Sequence, residues 1–167
     1  MSALHQVSTG LNFLAQTIQA ILPPGGVCQV VDDEQMAWEQ AAQSSQNLIV
    51  YVTWTGDRPW SSSAVLEGVT HRVTRSWFVG IKRGRGYVAV RGDTFSKTTA
   101  VPAFVDLVED IRDCCRSIVG LSEDAGTDGV HVDNWKQGNN LMSGKKITFT
   151  TKNDLPGIVA TPDSDGT

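Results

Sequence analysis

The sequence predicts an α+β fold, with an antiparallel or mixed β-sheet packed by two long amphipathic helices. Two observations carry most of that reading. Apolar residues recur at spacings of three and four in two well-separated stretches, which is the period of a helix with one buried face. Between and after them lie runs rich in valine, isoleucine, threonine and aromatic residues, bounded by glycine, proline and polar clusters, which is the mark of strands. A chain of 167 residues suits one domain and buries enough surface to hold a core without metals or disulfides.

The first helix is read from Leu4, Val7, Leu11, Leu14, Ile18 and Ile21, with Ser2 as its N-cap. Pro23-Pro24-Gly25-Gly26 ends it, since proline has no N–H and disfavours a helical residue before it. Val27–Val31 reads as a short strand, and residues 32–45 as a brief helix around Met36, Ala37, Gln40 and Ala41. Leu48–Trp54 is apolar or β-branched almost throughout, which predicts a strand buried on both faces. Residues 55–68, rich in Gly, Pro and Ser, read as a long loop.

A strand follows from Thr70 to Ile81, with Val73, Arg75, Trp77, Val79 and Ile81 on one face. Residues 82–86 read as a turn and Tyr87–Val90 as a returning strand, together a hairpin. The second long helix starts near Pro102 and stops near Gly120, with Phe104, Leu107, Val108, Ile111, Cys115 and Ile118 as its stripe. Val130–Asp133 and Ile147–Thr151 read as strands that pair with each other. Residues 1–153 therefore form a single domain, and 154–167 a polar C-terminal arm, extended or disordered.

The net charge is −4 and the pI about 5.2, which argues against a general polyanion binder. No run has the length of a membrane span, and the N-terminus lacks the pattern of a secretory leader. Three cysteines, two of them adjacent, imply no disulfide framework. These features fit a reducing compartment.

The groups that might carry chemistry each lack a partner in sequence. His131 and Asp133 share a strand face, as a metal pair or part of a hydrolytic triad would. A metal needs a further ligand, and no strained nucleophile turn is present. Asp32-Asp33-Glu34 lacks the alternation and glycine of a calcium loop and suits a helix start. Cys114-Cys115 lies inside a helix, where Cys115 serves the core. No catalytic, metal or cofactor-binding residue is assigned, and the chain is read as a structural subunit, not an enzyme.

The remaining candidates are surface residues for a partner or a further copy of the chain. They are Arg58 and Trp60 in the loop, and Lys82, Arg83, Arg85 and Arg91 around the expected hairpin. Five tryptophans are many for this size. Trp54 and Trp77 fall in strands and are expected in the core, while Trp38, Trp60 and Trp135 fall near loops and suit contact or partial burial.

The order of elements is a long amphipathic helix, a Pro-Gly turn and strands, then a basic hairpin with Arg72, Arg75 and Trp77. A second helix from Pro102 to Val119 and strands ending at Ile147–Thr151 follow. Over residues 2–153 this resembles the tail terminator (tail completion) proteins of long-tailed bacteriophages, and more loosely their minor tail proteins. The resemblance implies helices packed on a sheet and a ring, usually a hexamer, that caps the tail tube and joins tail to head. It implies as partners other copies of the chain, the tail tube protein and a head–tail connector, with DNA passing through the lumen without specific binding. It implies location in the virion after synthesis in the host cytoplasm, and it brings no cofactor. The alternatives are another connector or neck protein, a small module docking nucleic acid or an acidic partner through the basic hairpin, and a small hydrolase using His131 and Asp133.

Overall fold

The nearly unbroken apolar run that begins at Leu48 has to be covered on both sides, and this requirement organises the molecule. The computed structural model describes residues 7–45, 48–59, 70–84, 87, 103–121 and 130–156. Its elements are α1 (Val7–Ile21), β1 (Val27–Val30), α2 (Glu34–Gln43), β2 (Ile49–Pro59), β3 (Thr70–Lys82), α3 (Phe104–Leu121), β4 (Val130–Gln137) and β5 (Asn140–Pro156). The chain is α+β, with a mixed sheet in the order β1-β2-β3-β5-β4. Among the described strands only β1 and β2 run parallel. Parallel neighbours need a crossover, and α2 supplies it.

Side chains alternate across β2, so the two faces collect different partners. Val50 and Val52 join Leu14 and Ile18 of α1 with Leu107, Val108, Ile111 and Cys115 of α3. Ile49 and Tyr51 face the other way, onto Ala37 and Ala41 of α2. All four β2 residues are at most 3% exposed, as the apolar run demanded. The structure thus has three layers, with α1 and α3 on one face of the sheet and the smaller α2 on the other.

The second core is built around Trp135, which is 2% exposed. Its ring makes edge-on contacts with Trp38 (5.8 Å between centroids), Phe78 (5.7 Å) and Tyr51 (6.4 Å). It lies directly over Gly80, where an added Cβ would sit 2.7 Å from the ring. Trp135 is thus a core residue of the α2 layer, and Trp38 is half-buried against it. Trp77 is buried as expected and donates its indole N–H to Thr151 Oγ1 at 2.9 Å. Trp54, expected in the core, is 36% exposed.

Local chemistry sets the ends of the helices. Asp33 is the N-cap of α2, its Oδ1 accepting from the Met36 N–H at 2.7 Å. Gln19 near the end of α1 donates to Gly26 O and accepts from Cys28 N–H, tying the helix to β1. Ile21, placed on the apolar stripe of α1, is 40% exposed.

Three expectations are corrected. β2 continues to Pro59 through a bulge at Trp54/Gly56, so the long loop does not begin at 55. Gly56 has φ +136°, a conformation that only glycine adopts without strain. β3 is flanked by β2 on one side and β5 on the other, so it has no edge left for the expected hairpin with Tyr87–Val90. Only Tyr87 of that segment is among the described residues. Lastly, β5 runs to Pro156, paired with Thr70, so residues 154–156 belong to the sheet and not to an arm. Residues 157–167 lie outside the described residues. β4 and β5 do pair, over more than the expected length, joined by a two-residue turn at Gly138-Asn139 with Gly138 at φ +60°.

Candidate functional site

Of the six residues expected at a partner surface, Trp60, Arg85 and Arg91 lie outside the described residues. Arg58 is exposed near the end of β2, opposite Thr74 of β3. Lys82 turns inward. Its ammonium donates to the carbonyl of Ser44 at 2.8 Å and to that of Ala41, at the C-terminal end of α2. A cation there satisfies orphan carbonyls and meets the negative end of the helix dipole. Its charge is therefore committed inside the molecule. Arg83 is half-buried, and its backbone N–H donates to Ser143 O at 2.8 Å.

A different polar group is assembled next to Arg58. The bulge at Trp54/Gly56 advances β2 by one residue and brings Asp57 opposite Arg75. Arg75 is 4% exposed and grips Asp57 with two parallel bonds, Nε to Oδ1 at 2.9 Å and a terminal nitrogen to Oδ2 at 3.0 Å. Such a forked pair is strong and directional. The Trp54 indole N–H also donates to Asp57 Oδ1, at 2.8 Å. An exposed aromatic ring is thereby fixed on the sheet by a hydrogen bond instead of being free to rotate. Rigid exposed aromatics suit protein contact, because little side-chain freedom is lost on binding. Sequence reasoning placed Arg75 only as one member of a strand face. A buried guanidinium requires an anion, a signal that the sequence reading did not use.

The residues considered for catalysis are separated or otherwise engaged. His131 and Asp133 are exposed on β4, and Asp133 Oδ1 accepts from Asn134 N–H at 2.7 Å. His131 lies in an open groove with Glu34, Ser76, Thr148 and Thr150. Among the described residues no three His, Cys, Asp or Glu side chains converge as metal ligands. Burial pushes the Cys28 thiol up to about 12. Cys114 is raised by burial and by the carboxylates of Asp110 and Asp113. Cys115 is raised by burial and by its neighbouring thiols. All three changes disfavour the thiolate, the reactive form.

The described surface thus defines a class: an α+β domain with a three-layer body, a sheet with two outer edges and a fixed aromatic at one end. No protein-family model matches the chain, and no curated protein matches it. No helix among the described residues is long and apolar enough to cross a membrane.

Proposed function

We propose that this chain is a structural virion protein, a tail terminator-like ring subunit that caps a tail tube and joins tail to head. The observation that carries the reading is the order and arrangement of elements. A leading helix, a parallel β-α-β unit, two long antiparallel strands, a further helix and a closing hairpin are arranged around one mixed sheet. The resemblance to tail terminators rests on part of that order: the leading helix, the Pro-Gly turn and strands after it, the long helix in the second half and the strands that follow. The surface chemistry is compatible with it. Among the described strands β1 and β4 are the outer ones, and outer strands offer backbone groups to a neighbour. Trp54 and Arg58 stand exposed where β2, β3 and β5 run on together. In this proposal the partners are further copies of the chain, with the tail tube protein on one side and a head–tail connector on the other.

The test is direct. Size exclusion with light scattering and negative-stain microscopy should show a closed ring, and adding the protein to polymerising tail tube subunits should halt tube growth. A chain that stays monomeric at every concentration and leaves tube length unchanged sinks the proposal.

A further inference from the structure

Two exposed apolar patches lie on opposite sides of the sheet, both on the face that carries α1 and α3. The first is on the β2 side. β1 stops opposite Val52, so from Thr53 onward β2 is the outermost described strand there. Trp54 is 36% exposed and Val30 of β1 43%, one diagonal position apart. The Trp54 ring is fixed to Asp57 by its indole N–H, and the Asp57 side chain is itself 25% exposed. The bonds from Arg75 and Trp54 leave Asp57 Oδ2 able to accept a further donor, since a carboxylate has about four acceptor positions.

The second patch is on the β4 side. An apolar groove of about 160 Å³ between α3 and β4 is lined by Val105, Val108 and Val132, with Arg112 and Lys145. A cavity of ~150 Å³ admits a benzene ring, so the groove has space for one aromatic ring. Val105 is 46% exposed and Val132 38%. Arg112 Nε is buried with no hydrogen-bond partner among the described residues. What fills this groove has to bring an apolar body and an acceptor beside it. Trp54 with Asp57 is such a pair, already held rigid by its own hydrogen bond. An indole ring against a guanidinium is also a favourable contact in itself.

A copy cannot fill its own groove. Trp54 pairs with Trp77, Trp77 with Phe149, and Phe149 with Val130 of β4. Three strand spacings, about 14 Å, therefore separate Trp54 from β4, and the stacked rings of Trp77 and Phe149 occupy the row between. Two different patches on opposite sides of one subunit join copies head to tail, the arrangement that closes into rings. We infer that Trp54 of one copy enters the groove between α3 and β4 of the next. Its ring covers Val105, Val108 and Val132, and the Asp57 carboxylate beside it meets Arg112. This deepens the ring proposal and rests on it for the presence of a neighbouring copy.

Light scattering over a concentration series tests it on the full chain. Trp54→Ala and Val105→Asp should each raise the concentration needed for assembly at least about tenfold, with the circular dichroism of the folded chain retained. Should Val105→Asp not fold, Val132→Asp on the other exposed wall takes its place. The two variants are damaged on different patches, so their equimolar mixture still offers one intact Trp54 and one intact groove. Where wild type is fully assembled, each variant alone should be monomeric, and the mixture should form a 1:1 dimer that grows no further. A ring that survives both substitutions unchanged, or a mixture that stays monomeric, overturns this inference and leaves the ring proposal standing. A wild-type chain that is monomeric throughout overturns both.

Discussion

Replacing Gly80 by alanine should destabilise the protein, although alanine normally suits a strand better than glycine. Gly80 is not at positive φ, so the backbone accepts a side chain. The obstacle is the Trp135 ring. A Cβ at position 80 would stand 2.7 Å from Cη2 and 2.9 Å from Cζ2 of Trp135, and 3.0 Å from Phe78 Cε1. The ring has little room to retreat, because Trp38, Tyr51 and Phe78 surround it and it is 2% exposed. Overpacking a filled core site is unfavourable by about 1–3 kcal/mol. The lower chain entropy of unfolded alanine offsets about 0.4–1 kcal/mol of that. A net loss of about 1–2 kcal/mol is expected, read from urea denaturation followed by circular dichroism. The pair Gly80→Ala/Trp135→Phe should be more stable than the sum of the single changes by at least about 1 kcal/mol, since the smaller ring leaves space for the methyl group. A neutral or stabilising Gly80→Ala, or a strictly additive pair, would refute the packing argument.

Three further outcomes follow from the same structure. Lys82→Met should destabilise by about 1–2 kcal/mol in chemical denaturation, because two α2 carbonyls lose their cation; an unchanged midpoint would count against the capping role. Asp57→Ala removes both bonds to the buried Arg75 guanidinium and the anchor of Trp54. It should lower stability by about 2–4 kcal/mol and free the Trp54 ring, seen as increased quenching of tryptophan emission by acrylamide. The raised Cys28 pKa makes the folded protein hold its thiol proton more tightly than the unfolded chain. That contribution is full below the unfolded value near pH 8.5 and is lost as pH rises toward about 12. Stability should therefore decline across that window, with a slope of at most about 1.4 kcal/mol per pH unit from this group, and Cys28→Ala should flatten the decline.

Much of the fold follows from period and composition. The stripes of α1 and α3, the doubly buried β2 and the pairing of β4 with β5 were all legible, because each depends on local alternation or on a run too apolar for one-sided burial. The Gly138-Asn139 turn carried a readable hairpin signal that lay outside the strands assigned there. Other features could not be read locally. Trp135 looked like a loop aromatic, since nothing near it in sequence shows that Gly80, 55 positions earlier in the chain, leaves a hollow for its ring. Lys82 looked like part of an exposed basic turn, because its carbonyl partners are on α2, far back in the chain. Arg75 was read only as one member of a strand face, and its burial with an anion was not foreseen. Only the bulge at Trp54/Gly56 decided that the anion is Asp57. The sequence alone determined which segments are helix or strand and which faces are apolar, since those depend on neighbours a few residues apart. The tertiary structure decided strand order, the partner of each buried charge and which surfaces stay open, since those depend on residues that meet only once the chain has folded.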